Sequence, residues 1–219
     1  SGLELLKSSL RADPDVVIFG EVRDHEMAKL VFEAANTGHL VFSTLHTNTS
    51  IDAIIRLDEL EIRGFLVSYI RGIAAQRLVR RLCTHCRQAM KKPDQWTQFC
   101  FDYYKVPMDG ATLYKVNPEG CPNCGFTGYR GRIAVAEWLV PNKELVNATS
   151  ARDFTQLEDI ATQAGWEPMG KMGVEHVKKG ITDAEELGRV ILELSVEIRE
   201  KEEQDIAPQP QTPTQEAHI

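Results

Sequence analysis

Val16-Val-Ile-Phe-Gly-Glu21 and Leu40-Val-Phe-Ser-Thr-Leu-His46 are the two stretches whose reading decides the fold. The first is apolar up to Gly20, the pattern of a strand buried on both faces of a parallel sheet. Between them Asp24 suits a helix N-cap. Met27, Ala28, Leu30, Val31, Ala34 and Ala35 recur at helical spacing, and Gly38 suits the position just past the helix C-terminus. Strand, helix and strand at this spacing make a right-handed crossover unit, so the two strands are expected to be parallel. Their C-terminal ends then share one edge of the sheet. That edge is where open α/β sheets bind ligands, and it would carry Glu21 and His46. The expected class is α/β.

Downstream, Ile51 to Leu60 reads as a helix ended by Gly64, and Leu66 to Leu82 resumes a helical pattern through Gln76, Arg77, Leu78, Val79, Arg80 and Arg81. The region that follows has few long periodic runs, a Tyr103-Tyr104 pair and turn chemistry at Asn117-Pro-Glu-Gly120, as in a loop-rich module that needs a staple. Ile133 to Val140 reads as a strand. Phe154 to Ala164 and Thr182 to about Arg199 read as helices. The last of these has a capping box of Thr182 and Glu185, and Leu187, Val190, Ile191, Leu194 and Ile198 lie on one face. From Ile206 on, Pro, Gln and Thr dominate, and a disordered tail is expected.

At 219 residues, with 42% hydrophobic and 26% charged residues, the chain has room for one or two domains of roughly 100 to 200 residues each. No apolar run approaches the about 18 residues of a membrane span, and no signal peptide is evident, so a cytosolic protein is expected. The chain opens on Ser1 in sequence that reads as mid-domain, and a piece of a longer polypeptide is expected. The net charge of -7 argues against a dedicated nucleic-acid binder. Its distribution is uneven: residues 71–92 hold seven Lys or Arg and no acid.

Cys83-Thr-His-Cys86 and Cys121-Pro-Asn-Cys124 are matched CxxC pairs, and each can present two sulfurs to one tetrahedral zinc. Disulfides are disfavoured in a reducing cytosol, and a redox CxxC needs no second pair. Four thiolates leave no open coordination position, so such a metal would hold structure while catalysis lies elsewhere. Cys100, between Phe99 and Phe101, reads as a small apolar residue, and His25, His176 and His218 as structural. A strand ending in an acid, as at Glu21, has the form of a Walker B element. The polar cluster around Ser43-Thr-Leu-His-Thr-Asn48 strengthens that reading, because it sits where the next parallel strand ends.

Five stretches together resemble the type II secretion and type IV pilus assembly ATPases, also called traffic or secretion ATPases. They are Asp13-Pro-Asp-Val-Val-Ile-Phe-Gly-Glu-Val-Arg-Asp24, Thr37-Gly-His-Leu-Val-Phe-Ser-Thr-Leu-His-Thr-Asn48, Ala75-Gln-Arg-Leu-Val-Arg80, the paired CxxC motifs and Gly128-Tyr-Arg-Gly-Arg132. They run in the family's order over most of residues 1–195. The resemblance implies part of a RecA-like P-loop ATPase core at residues 1–82 and a tetracysteine zinc module at 83–132. A C-terminal strand and helical subdomain would follow at 133–199, with a disordered tail at 200–219. It implies ATP, Mg2+ and Zn2+ as cofactors. Glu21 would be the Walker B glutamate, His46 the His-box residue on the phosphate side and Thr44 a further nucleotide contact. The zinc ligands would be Cys83, Cys86, Cys121 and Cys124. It further implies a homo-hexamer at the cytoplasmic face of the inner membrane, working on a platform protein of that membrane, with arginines supplied across a subunit boundary. The tetracysteine insert favours assembly or secretion motors over retraction motors.

The family's GxxxxGK[ST] phosphate loop does not occur in these 219 residues. Gly165-Trp-Glu-Pro-Met-Gly-Lys171 comes near, but Met172 stands where the magnesium-binding hydroxyl belongs and helical sequence precedes it, so it is read as a decoy. The chain alone is therefore expected to be inactive. The competing reading is a zinc-ribbon nucleic-acid module built on the basic stretch beside the cysteines.

Overall fold

The computed structural model describes residue 12, residues 14–62 and residues 64–191. Strands β1 (Val16–Glu21) and β2 (Leu40–Thr44) pair in parallel, with Val16 opposite Leu40, Ile18 opposite Phe42 and Glu21 opposite Thr44. Helix α1 (His25–Asn36) joins them as expected. The Asp24 side chain accepts from the Met27 N–H, and Gly38, at φ +103°, turns the chain past the helix end. Leu30 and Ala34 of α1 bury Phe19 on one face of the pair.

The other face corrects the expectation of a strand buried on both sides. Ile18 is 80% exposed, and Val16, Leu40 and Phe42 are exposed beside it. A continuous apolar run records the capacity to be covered twice. Among the described residues only α1 supplies a cover.

Helix α2 (Ser50–Glu59) starts from a capping box of Thr49 and Asp52. Beyond it the expected helix over Leu66 to Leu82 is not formed. A 3-10 turn at Gly64–Tyr69 leads into a ten-residue strand, β3 (Ile73–Leu82), antiparallel to β6 (Tyr129–Leu139) from Ile73 opposite Leu139 to Leu82 opposite Tyr129. Gln, Arg and Leu are good helix formers, but Ala75, Arg77 and Val79 alternate with Gln76, Leu78 and Arg80. The long partner strand rewards that period of two, and pairing outweighs propensity. Strand β6 likewise begins four residues before the expected Ile133, because Tyr129 and Arg132 find partners on β3 across a register shift.

The stretch between β3 and β6 is less loop-like than expected. Besides the short pair β4 (Gln88–Ala89) and β5 (Tyr114–Lys115) it contains α3 (Gln95–Tyr103), capped by Asp94. Cys100 lies at 1% exposure in a core shared with Phe101, Val79, Val135, Val174 and Leu187. After β6 come α4 (Lys143–Ala151), α5 (Leu157–Gln163), α6 (Met169–Lys178) and α7 (Ala184–Val190).

The cap of α7 also differs from expectation. Asp183 is the N-cap, accepting from Glu186 N–H, while Thr182 Oγ1 donates to the Arg80 carbonyl at 2.9 Å. An aspartate at this position can accept from the helix N–H groups, and Thr182 is drawn away to the strand. Leu187 and Ile191 are buried as read, and the expected positions Leu194, Ile198 and Arg199, with the tail, lie outside the described residues.

Two buried carboxylates tie these elements together. Glu137 on β6 is 4% exposed. Its Oε1 accepts from Ser50 N (2.6 Å) and Ser50 Oγ (2.7 Å), and its Oε2 from Met169 N (3.0 Å), so one side chain holds the first turns of α2 and α6. Both contacts satisfy N–H groups that a helix start leaves without an intrahelical partner. Glu186 on α7 accepts from Arg80 Nε and Nη2 at 2.8 and 2.6 Å and from Arg189 Nε and Nη2 at 2.8 and 2.7 Å. Burial alone would raise the Glu186 pKa. The hydrogen bonds from Arg189 and Arg80 reverse that and hold it down at about 2.

Glu137→Ala would leave buried N–H donors of two helix starts unpaired, a loss of about 3 kcal/mol or more. Urea denaturation is expected to show it as a lower midpoint, with Glu137→Gln, which keeps one acceptor, less affected. Because the folded pKa of Glu186 lies below its ordinary 4.5, its stabilisation is complete above pH 4.5 and is lost as pH falls toward about 2. Melting temperature measured down that window is expected to fall, and to fall less steeply in Glu186→Gln.

Candidate functional site

The C-terminal edge of the β1–β2 pair brings the expected residues together. The Val22 N–H donates to Thr44 O at 2.9 Å and Ser43 Oγ to Gly20 O at 2.7 Å, which ties the two strand ends. Glu21 and Thr44 are register partners there. Two residues on, His46 reaches back so that Nε2 lies 3.0 Å from Glu21 Oε1, while Arg23 Nε donates to Oε2 at 2.6 Å. The Glu21 side chain is 20% exposed, against 83% for His46 and 77% for Arg23. The Arg23 hydrogen bond, aided by the charges of Arg23 and His46 against a smaller opposing effect of burial, holds the Glu21 pKa below the usual range. Glu21 is thus an ionised, partly sheltered carboxylate at a sheet edge, and an oxygen ligand of this kind suits magnesium or its waters.

A cleft of about 1000 Å³ opens beside this edge. Residues 38–49, with Thr44, His46, Thr47 and Asn48, form one wall, and residues 69–77 with Trp138 form the other. Asn48 Oδ1 accepts from Arg77 Nη2 at 2.6 Å across it. Sequence reading missed Arg77 as a partner of this loop, because a helix over Leu66 to Leu82 would have aimed it elsewhere. Arg23 stood in the quoted motif but was given no role. Only pairing across the fold could identify Glu137 as the anchor of Ser50.

The four predicted cysteines also meet. All four sulfurs lie within 4.8 Å of one another, and Cys83–Cys121, Cys121–Cys124 and Cys86–Cys124 are 3.8, 3.8 and 3.9 Å apart. Tetrahedral zinc with Zn–S bonds of about 2.3 Å requires sulfurs about 3.8 Å apart, which three of the pairs meet, so the donor set suits the ion. Cys121 N–H and Gly128 N–H donate to Cys124 Sγ at 3.2 and 3.3 Å. Burial opposes the thiolate at Cys124, but these two donors prevail and pull its pKa down. The cluster sits where β3 ends and β6 begins, with the Cys83 N–H donating to Gly128 O at 2.9 Å. At about 3.3 Å per residue, Arg77 and Cys83 are separated by roughly 20 Å of strand. The metal site therefore stands apart from the Glu21 edge.

The remaining expectations resolve locally. His25 Nδ1 lies 2.8 Å from Leu60 O and His176 Nε2 3.2 Å from Ala134 O, as structural histidines, while His218 is outside the described residues. Helix α6 begins at Met169, so the near-match loop is helical at its Gly170-Lys171 end. A Cβ on Gly170 would lie 2.0 Å from the Tyr104 hydroxyl, and no phosphate cradle is formed. Three residues of the basic stretch have side-chain partners: Arg80 on Glu186, Arg77 on Asn48, and Arg87 over the Tyr114 ring with Nη1 donating to Gly180 O at 2.5 Å.

A family model described as type II/IV secretion system protein matches residues 3–189. The chain is 43% identical over 184 residues to the type IV pilus assembly ATPase PilB of Thermus thermophilus, covering 83% of this chain and 20% of that protein. It is 38% identical over 189 residues to the type II secretion system ATPase E of Vibrio cholerae, covering 86% of this chain and 37% of that protein. Among solved structures it is similar to the pilus retraction motor PilT with bound ADP, at TM-score 0.57 and 25% identity over 85% of this chain and 42% of that one. The ATPase DotB of Yersinia pseudotuberculosis shares the fold at TM-score 0.56 and 21% identity, over 88% of this chain and 39% of that one. The chain thus spans well under half the length of each of these proteins.

Proposed function

This chain belongs to the type II/IV secretion system protein family, and from that premise we propose that it is part of an ATP-hydrolysing motor powering type IV pilus assembly or type II protein secretion. The observation that carries the reading is the meeting of Glu21 and His46, 3.0 Å apart, at the C-terminal edge of a parallel strand pair. The names of two similar relatives support it.

In this reading residues 1–82 are the later part of a RecA-like core. Magnesium bound with ATP would supply the Lewis acid that neutralises charge on the phosphates. Glu21, ionised and held by Arg23 and His46, accepts hydrogen bonds from a water and aligns it. His46 would donate from just past the neighbouring strand end to a phosphate oxygen, and Thr44, the register partner of Glu21, would be a further nucleotide contact. Residues 83–132 form the zinc module, in which Cys83, Cys86, Cys121 and Cys124 hold the ion and the Cys121 and Gly128 N–H groups steady it. The described residues from 133 to 191 would belong to a C-terminal strand and helical subdomain.

The motor would act as a homo-hexamer against a platform protein at the cytoplasmic face of the inner membrane. No helix among the described residues is long and apolar enough to cross a membrane.

Because these 219 residues contain no GxxxxGK[ST] loop, they are expected to release no phosphate from Mg·ATP on their own. Phosphate release abolished by Glu21→Gln would overturn that expectation. In a longer polypeptide that supplies the loop, Glu21→Gln is expected to lower hydrolysis about a hundredfold or more; unchanged turnover would remove Glu21 from the mechanism. Elemental analysis is expected to find one zinc per chain. Cys83→Ser and Cys124→Ser should lower that content and speed amide exchange over residues 83–128 while leaving β1 and β2 protected. A stoichiometry near zero in the unaltered chain would refute the metal assignment.

A further inference from the structure

The loop between Thr44 and Ser50 carries His46, and its two ends are fixed by different means. Thr44 is tied to β1 through its carbonyl, and Thr49 closes the capping box of α2. Between them Asn48 Oδ1 accepts from Arg77 Nη2 at 2.6 Å. Arg77 sits opposite Val135 and Ala75 opposite Glu137, so Arg77 and Glu137 lie on one face of the β3–β6 ribbon. That face holds the loop and helix twice, through Arg77 to Asn48 and through Glu137 to Ser50.

A guanidinium has donors only, so the atom of Asn48 that meets it must be the carbonyl oxygen. This fixes an assignment that an amide by itself leaves open. The amide NH2, with two donors, is then directed away from Arg77, and both residues line the cleft beside His46 and Thr47. A donor pair beside a histidine, in a cleft with an ionised carboxylate at its edge, suits an oxyanion with several acceptor oxygens.

We infer that Arg77 is a positioning residue that fixes the His46 loop through Asn48 and turns the Asn48 amide NH2 toward a phosphate oxygen of the nucleotide. The inference rests on the hydrolytic reading of the Glu21–His46 edge. It adds to that reading one substrate-contacting residue and one residue that acts through it.

The variant that separates this from a purely structural role is Asn48→Asp. A carboxylate still accepts from Arg77, as a charge-assisted pair, so the fold contact survives, but the donors are gone and a negative charge faces the phosphates. The measurement is steady-state Mg·ATP hydrolysis by the full-length polypeptide carrying this segment, alongside its melting temperature. Asn48→Asp is expected to raise KM about tenfold or more with the melting temperature unchanged or higher. Arg77→Ala is expected to lower kcat/KM by a similar factor, and Arg77→Lys, which restores one donor, to recover part of it.

Unchanged KM in Asn48→Asp, or a loss that follows the melting temperature in every variant, would overturn the inference. Glu21→Gln run in parallel separates the two levels. If Glu21→Gln stops hydrolysis and Asn48→Asp does not alter it, the Arg77–Asn48 role fails alone. If Glu21→Gln leaves turnover intact, the hydrolytic edge fails and this role fails with it.

Discussion

The arrangement depends most on one carboxylate. Glu137 is buried near the C-terminal end of β6, and a buried ionisable group is tolerated only when its acceptor capacity is used. Ser50 and Met169 use it. Ser50 in turn accepts from Trp166 Nε1 at 3.0 Å, so the start of α2, the start of α6 and the turn before α6 converge on one side chain of the ribbon. Because Ser50 directly follows the loop that carries His46, the place of that histidine relative to β3 and β6 is set by the same contact. The sheet edge that holds Glu21 and the ribbon that holds the cysteines are thereby parts of one framework.

Local patterns decided what the sequence could reveal. The crossover from β1 to β2 was legible because each of its signals lies within a few residues of the next: the Asp24 cap, helical spacing, Gly38, then a second apolar run. With the crossover came the meeting of Glu21, Thr44 and His46. The cysteine cluster was legible because spacing alone lets two CxxC loops share an ion. Strand β3 was not, since Gln76, Arg77, Leu78 and Arg80 satisfy a helical reading and only β6, distant in sequence, selects the other period. Losing β3 also hid Arg77 and Glu137, whose roles exist only across that pairing. At Thr182 the pattern was right in kind and wrong by one residue, because Asp183 competes for the same N–H groups.

Chemistry and stapling are divided between the two ends of β3. One end enters the cleft through Ile73 to Arg77, and the other stops at Leu82 immediately before Cys83. Midway, Arg80 is fixed by Glu186 from α7 and lies 4.0 Å from the centre of the Tyr129 ring. The strand is therefore gripped along its length by groups from both subdomains. A metal held by the four cysteines would add no reactive position, but by closing the ends of β3 and β6 it would keep this two-stranded ribbon in register. An isolated two-stranded ribbon is marginally stable in water, so a staple at its open end has a clear physical purpose.

The Glu21 edge is built to exchange partners. Both carboxylate oxygens are occupied, one by His46 and one by Arg23, yet both partners are more than three-quarters exposed. Ion pairs of that kind contribute little net stability, because water competes for each charge. The buried pairs at Glu186 are fixed by comparison, since their shared carboxylate has no exposed surface. A phosphate chain with several negative charges attracts His46 and Arg23 more strongly than one carboxylate does, and it brings a cation that attracts Glu21. Exchange at this edge therefore needs only side-chain rotation, while the strand ends and the Ser50–Glu137 anchor stay in place. For the proposed hydrolysis, a rigid framework presenting weakly held side chains would meet the cost of ordering the site in folding and not at each turnover.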